Sequence, residues 1–381
     1  MYNFKKDYMK TIKLCLLLTV AVLSMTSCEN HEVEMNTFVN EDGTCSRNLF
    51  FKTDSAGLVG NIANSDGVIR LSDDWNISWA VKGKSEWNDY PMSVESYHSL
   101  QAQFGSVPDT VILRAERNFA SVEEMSATFP IQIAGKPLTT KAEFTKCFRW
   151  FYTIYEYTET IDGFKECFHV PFNRFMNEND ALFWFTGEPE LFSGYTPFES
   201  YDKLSKIEES VNRWLNANYF CEMYNVMVQY YDSVKNPPVD KEAFASLRDS
   251  VMHYALAHGF DISLAGTDKI FSGFFGSDAY AFMFKGDSEC MMELSERIRW
   301  FADLVSLDIN YSVYMPGQIT DTGRGLYHDS TGSVYYSLTG GRFIPDDYII
   351  TASSRVTNLW AYAITAILAT VVLVLCIRAK R

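Results

Sequence analysis

Apolar and polar positions along this chain follow two periods, and the change between them divides it into three stretches. From Asp74 to Lys82, Trp75, Ile77, Trp79 and Val81 fall on one face of an extended segment, which predicts a half-buried strand. Cys45 to Lys52, after the turn signal Asn40-Glu41-Asp42-Gly43, and Val111 to Arg117 predict two more. The densest β signal runs from Phe144 to Thr160. Phe148, Trp150, Tyr152 and Ile154 share one face there, and Phe151, Thr153, Tyr155 and Tyr157 share the other. A strand apolar on both faces is expected to be central and covered on each side. The rival reading of so many aromatics is a platform for a carbohydrate or a lipid. Ile161-Asp162-Gly163 then turns the chain toward an extended segment from Glu166 to Val170.

Farther on the period becomes helical. From Glu199 to Val234, Leu204, Ile207, Val211, Trp214, Cys221 and Val228 form one stripe, about 50 Å long at a rise of ~1.5 Å per residue. Asn218 and Asn225 interrupt it, and Pro237-Pro238 ends it. Asp240 caps a second helix through Phe244, Leu247 and Val251 that stops at Gly259. An apolar stretch from Lys269 to Phe284 is broken by Gly273 and Gly276, and a last helix spans about 288–305. Ser121-x-x-Glu124 is a capping box for a short helix before all of these. Strand periodicity returns over Asp308 to Met315, Val334 to Leu338 and Asp347 to Ser353. The economical fold class is α+β: an antiparallel sheet domain built from N- and C-terminal strands, with a helical insert at about 199–306. The long stripe exceeds each of its neighbouring helices, so it needs cover from several of them or from a partner. Ile207, Val211 and Trp214 are its candidate docking residues.

The ends carry the targeting signals. Lys5, Lys6, Lys10 and Lys13 precede a ten-residue apolar run, Leu14 to Leu23, too short to span a bilayer core. Leu23-Ser24-Met25-Thr26-Ser27-Cys28 resembles the lipobox of bacterial lipoproteins, with Met25 where that motif more usually carries Leu, Val or Ile. The resemblance implies that residues 1–27 are a signal peptide and that Cys28 is lipidated; an ordinary cleaved signal is the alternative. Acidic residues 28–38 read as a linker, and 39–357 as the body. From Leu359 to Ile377 nineteen residues carry no charge, with Trp360 and Tyr362 at one edge and Arg378, Lys380 and Arg381 beyond the other. This predicts a transmembrane helix over 358–377 with a cytoplasmic tail, 378–381. The expected location is the bacterial inner membrane, with the body in the periplasm.

Charge narrows the partners. Residues 1–27 and the last four each contribute +3 to a formal charge of −15, which leaves −21 on the body. Such a surface is repelled by phosphate backbones, so no nucleic-acid partner is expected. Among the five body cysteines, Cys147 and Cys167 flank the expected hairpin and are the candidate disulfide. Cys167-x-His169 lacks a second ligand pair at zinc-like spacing. No Gly-x-Ser-x-Gly and no phosphate loop occurs, and His253 and His258, five apart, diverge on a helix. The carboxylate pairs Asp73-Asp74, Glu208-Glu209 and Asp346-Asp347 are adjacent, so their side chains point apart. No catalytic residue, cofactor or metal is implied.

One further resemblance lies near the C-terminus. Tyr314-Met315-Pro316-Gly317-Gln318-Ile319, then Thr322, Gly332, the strand Val334-Tyr335-Tyr336-Ser337 and a membrane helix, resembles the end of LppM-like envelope lipoproteins. The segment from Asn40 to Lys52 is similar to their first strands. About 60 residues are covered, with tyrosines where a tryptophan is common and with the large helical insert as a departure. The resemblance implies an α+β fold with an apolar pocket and a lipid-related envelope role, and no catalytic residues. Three functions remain open: a tethered scaffold that binds an envelope protein partner, a module for a lipid or other hydrophobic ligand, and an enzyme assembled from distant polar residues.

Overall fold

The computed structural model describes residues 31–62, 67–260 and 266–379. The fold is α+β, and the described residues divide into two compact units. One comprises 31–162, 307–340 and 347–379; the other comprises 163–306 and 341–346.

The first unit holds fourteen strands: β1 (His31–Val39), β2 (Cys45–Phe51), β3 (Asn76–Val81), β4 (Asn88–Asp89), β5 (Val111–Phe119), β6 (Gln132–Ile133), β7 (Lys136–Pro137), β8 (Thr140–Phe148), β9 (Tyr152–Ile161), β10 (Leu307–Tyr314), β11 (Gln318–Asp321), β12 (Leu326–His328), β13 (Ser333–Thr339) and β14 (Tyr348–Thr357). Eight form a sheet in the order β12-β13-β10-β1-β2-β5-β3-β4, four form a second in the order β11-β14-β9-β8, and β6 pairs with β7. β1 lies antiparallel to β2 and parallel to β10, with Val33 beside Ile309 and Met35 beside Tyr311. N- and C-terminal strands therefore share the centre of the large sheet. Inward residues alternate along them: Cys45, Arg47, Leu49 and Phe51 on β2, and Leu307, Ile309, Tyr311 and Val313 on β10.

Two sequence expectations are corrected here. Residues 31–38 are not a linker but most of β1, because Val33, Met35 and Thr37 face inward while Glu32 and Glu34 alternate on the other side. The run from Phe144 to Thr160 is not one strand but the hairpin β8–β9, turning at Arg149–Phe151, where the Arg149 N–H donates to the Tyr152 carbonyl at 2.8 Å. That turn contains no Gly, Pro, Asn or Asp, so the usual turn chemistry gave no warning. β9 is central in its sheet, between β14 and β8, with Thr153, Tyr155, Tyr157, Glu159 and Ile161 buried.

Met315-Pro316-Gly317 carries the chain from the large sheet (β10) to the small one (β11). Gly317 has φ +77°, and a Cβ there would lie 2.5 Å from the Arg355 carbonyl oxygen, so the crossing requires glycine. β14 leads almost directly into a terminal helix, Leu359–Ala379, in which Ala361 is the buried residue and the large apolar side chains are exposed. Its 21 residues are long and apolar enough to cross a membrane, and their exposure distinguishes them from a core helix.

The second unit is helical: Glu178–Thr186, Pro197–Gln229, Lys241–Ser246, Arg248–Ala257, Thr267–Phe275 and Glu289–Ser306. The insert starts before residue 199, since 166–170 form no strand; Lys165–Cys167 is a 3-10 turn. Helix Glu178–Thr186 shows no clear period because its apolar residues run consecutively from Ala181 to Phe185. Phe220, Tyr224, Met227, Phe244, Val251, Phe271, Tyr280 and Leu294 form the core, with Tyr224 stacked on Phe244 at 4.6 Å between ring centroids.

Candidate functional site

The long helix Pro197–Gln229 begins with a capping box. Thr196 Oγ1 accepts the Glu199 N–H, and the Glu199 carboxylate accepts the Thr196 N–H at 2.8 Å, with Pro197 in the first helical turn. These hydrogen bonds from Thr196 hold the Glu199 carboxyl below its ordinary pKa. Along this helix the structure separates what the stripe joined. Ile207, Val211 and Trp214 are 1%, 2% and 1% exposed, so these three candidate docking residues are core and present no surface. The stripe tolerates Asn218 because its amide is fully used. Asn218 Oδ1 accepts the Val170 N–H at 2.8 Å, Nδ2 donates to the Val170 and Trp214 carbonyls, and Trp214 Nε1 donates to Val170 O at 2.7 Å.

At its N-terminal end the same helix is bare. Phe198 is 73% exposed and Tyr201 57%, and Leu204 is exposed as well. Tyr195 and Trp184 add two further exposed rings, and Tyr195 is joined through Phe192 to Phe183 of helix Glu178–Thr186. The sequence around these rings is acidic, with Glu188, Glu190, Glu199, Asp202, Glu208 and Glu209 against Lys203 and Lys206. Both lysines are already bonded to carboxylates, Lys203 to Asp180 at 2.6 Å and Lys206 to Asp202 at 2.7 Å.

A polar cluster on the helical unit is the nearest approach to catalytic furniture. His169 Nε2 contacts Glu222, whose other oxygen accepts from Arg297 at 3.3 Å. Arg297 also donates to Glu293 at 2.8 Å and to Gln229. Glu293 and then Glu222 raise the Arg297 pKa, so the guanidinium stays charged. The cluster is closed on itself: each carboxylate and the guanidinium are engaged, and burial pushes the neighbouring Cys221 thiol up. Its evident task is to clamp the 169–170 segment and helix Glu289–Ser306 to the long helix. Among the described residues no group of His, Cys, Asp and Glu is arranged to hold a metal.

In the sheet unit, Arg47 and Glu159 form a fully buried ion pair between the two sheets. Arg47 Nη2 donates to both carboxylate oxygens, at 3.0 and 3.1 Å, and Nε donates to Thr37 at 2.9 Å. The Tyr157 and Tyr311 hydroxyls donate to the same carboxylate at 2.9 and 2.6 Å. Burial pushes both phenols well above their ordinary pKa, so they remain protonated donors. Sequence reading missed this network entirely. Arg47 shares its inward parity with Cys45 and Leu49, and a charged residue inside an apolar alternation was the available signal.

No disulfide joins Cys147 and Cys167, and both are exposed. Cys147 lies near the hairpin turn, opposite Ile154. The lipidation candidate Cys28 lies outside the described residues. No protein family, curated protein or solved structure matches the chain.

Proposed function

We propose that this chain is a membrane-tethered extracytoplasmic envelope protein that binds another envelope protein. Its terminal helix crosses the inner membrane, and its lipidated Cys28 and its body lie on the periplasmic side. The observation that carries the reading is the bare end of helix Pro197–Gln229, where Phe198, Tyr201 and Leu204 are exposed although Ile207, Val211 and Trp214 farther along are buried. Aromatic side chains in the open are what protein interfaces are enriched in. The acidic sequence around these rings selects the occupant: a protein segment with apolar side chains set between lysines or arginines.

A photo-crosslinking residue placed at Tyr201 in cells tests this. The expected product is one envelope protein joined to the chain, lost in Phe198→Asp. Once purified, that protein should bind the wild type more weakly as salt is raised, because those acidic charges are exposed. Absence of an intermolecular product at Tyr201, or equal binding by Phe198→Asp, refutes the docking surface.

A further inference from the structure

The turn between β8 and β9 is bonded to the first turns of the terminal helix. β14 stays in register with β9 to its last residue, Thr357 opposite Tyr152, and the helix begins at Leu359. Buried Asn358 makes the junction. Its N–H donates to the Phe151 carbonyl at 2.9 Å, its Nδ2 to the Arg149 carbonyl at 2.8 Å, and its Oδ1 accepts the Thr153 hydroxyl at 3.2 Å. Aromatic contacts extend it: Phe148 stacks on Trp360 at 6.2 Å, Trp150 meets Trp360 edge-on at 5.4 Å, and Phe151 meets Tyr362 at 4.7 Å. Trp150 Nε1 donates to Thr365 Oγ1 at 2.9 Å. Thr365 lies six residues past the start of the helix, about 9 Å along its axis at ~1.5 Å per residue. A turn tied at that level must enter any bilayer that the helix crosses from Trp360 onward.

We infer that the β8–β9 turn is a second membrane-contacting element, with Phe148, Trp150 and Phe151 in the interfacial layer beside the helix and Arg149 and Arg355 at the level of the headgroup phosphates. Three large apolar side chains around one turn stay 55%, 44% and 37% exposed although each touches a ring of the helix. Indole and phenyl rings favour the interface. The backbone supplies an independent argument. Non-helical chain at membrane depth must satisfy its own polar groups. Here the Arg149 N–H donates to Tyr152, the Arg149 and Phe151 carbonyls accept from Asn358, and the Trp150 indole N–H is spent on Thr365. The bonds from Asn358 and to Thr365 go beyond the closing bond that any hairpin makes, and they satisfy these groups without water. The consequence is a sheet unit held against the bilayer in a fixed orientation rather than swinging from a single helix.

The inference rests on the terminal helix spanning the membrane, and the test separates the two. The full chain is reconstituted in phosphatidylethanolamine–phosphatidylglycerol vesicles containing lipid brominated near the headgroup end of the acyl chain. Of the eight tryptophans, Trp150 and Trp360 are the two placed at the interface, so Trp150→Phe should remove about half of the bromine quenching. Trp150→Phe/Phe151→Trp should restore it, which excludes misfolding as the cause of the loss. Unchanged quenching in Trp150→Phe, in protein that resists carbonate extraction, overturns the inference and leaves the span intact. Extraction of the wild type by carbonate overturns both.

Discussion

Replacing Arg47 by Met removes one half of an ion pair whose side chains are both fully buried. The Glu159 carboxylate then keeps only the Tyr157 and Tyr311 hydroxyls, and it loses a two-oxygen contact to a guanidinium in a medium that solvates charge poorly. Uncompensated buried charges of this kind cost about 3–5 kcal/mol. For a unit of about 200 residues, at roughly 2–4 °C per kcal/mol, the unfolding midpoint should fall by roughly 6–20 °C. Glu159→Leu should do similar damage by stranding the guanidinium. The double variant Arg47→Met/Glu159→Leu should recover most of the loss, because two apolar side chains of similar size replace the pair without leaving a charge behind. The assay is thermal unfolding of the detergent-solubilised chain, read by near-ultraviolet circular dichroism, in the two single variants and the double. The reasoning fails if Arg47→Met moves the midpoint by less than about 2 °C, or if the two single losses simply add in the double.

Asn218→Ala frees the Val170 N–H and should destabilise the helical unit by about 1–3 kcal/mol, seen as a lower urea midpoint with an unchanged slope. Trp214→Asp should unfold that unit outright, whereas Tyr201→Asp should leave its midpoint within about 0.5 kcal/mol of the wild type. Burial pushes the Cys45 thiol up to about 12 from an ordinary 9.0, so native protein at pH 8 should take up iodoacetamide at exposed Cys147 and not at Cys45. The same shift makes stability fall as pH rises from about 9 toward 12, where only the unfolded chain releases that proton; Cys45→Ala should flatten this part of the curve. Gly317→Ala must both hold φ +77° and relieve the 2.5 Å approach to Arg355 O, and should lower the midpoint of the sheet unit by several degrees.

Local period by itself determined much of the chain's organisation. Alternation at β2, β3, β5 and β10, the 3.6-residue stripe of Pro197–Gln229 and the uncharged terminal run are properties of neighbouring residues, and together they placed strands, helices and the apolar end in order. The α+β class followed from that order. Burial, by contrast, depends on which distant segment arrives to cover a face. Leu204 and Ile207 belong to one stripe in sequence, yet Ile207, Val211 and Trp214 are buried while Leu204, with Phe198 and Tyr201 before it, is exposed. In β1 the glutamates concealed a strand that is central because β2 and β10 close on its two sides, and β10 lies nearly 270 residues away. The hairpin turn at Arg149–Phe151 carries side chains typical of a strand, and only the pairing of β8 with β9 on either side of it and its bonds to Asn358 reveal it as a turn. Arg47 and Glu159 are 112 residues apart, one on each sheet. A charge is tolerable in a core only when its counter-charge is delivered there by the fold, so neither residue alone could announce the pair.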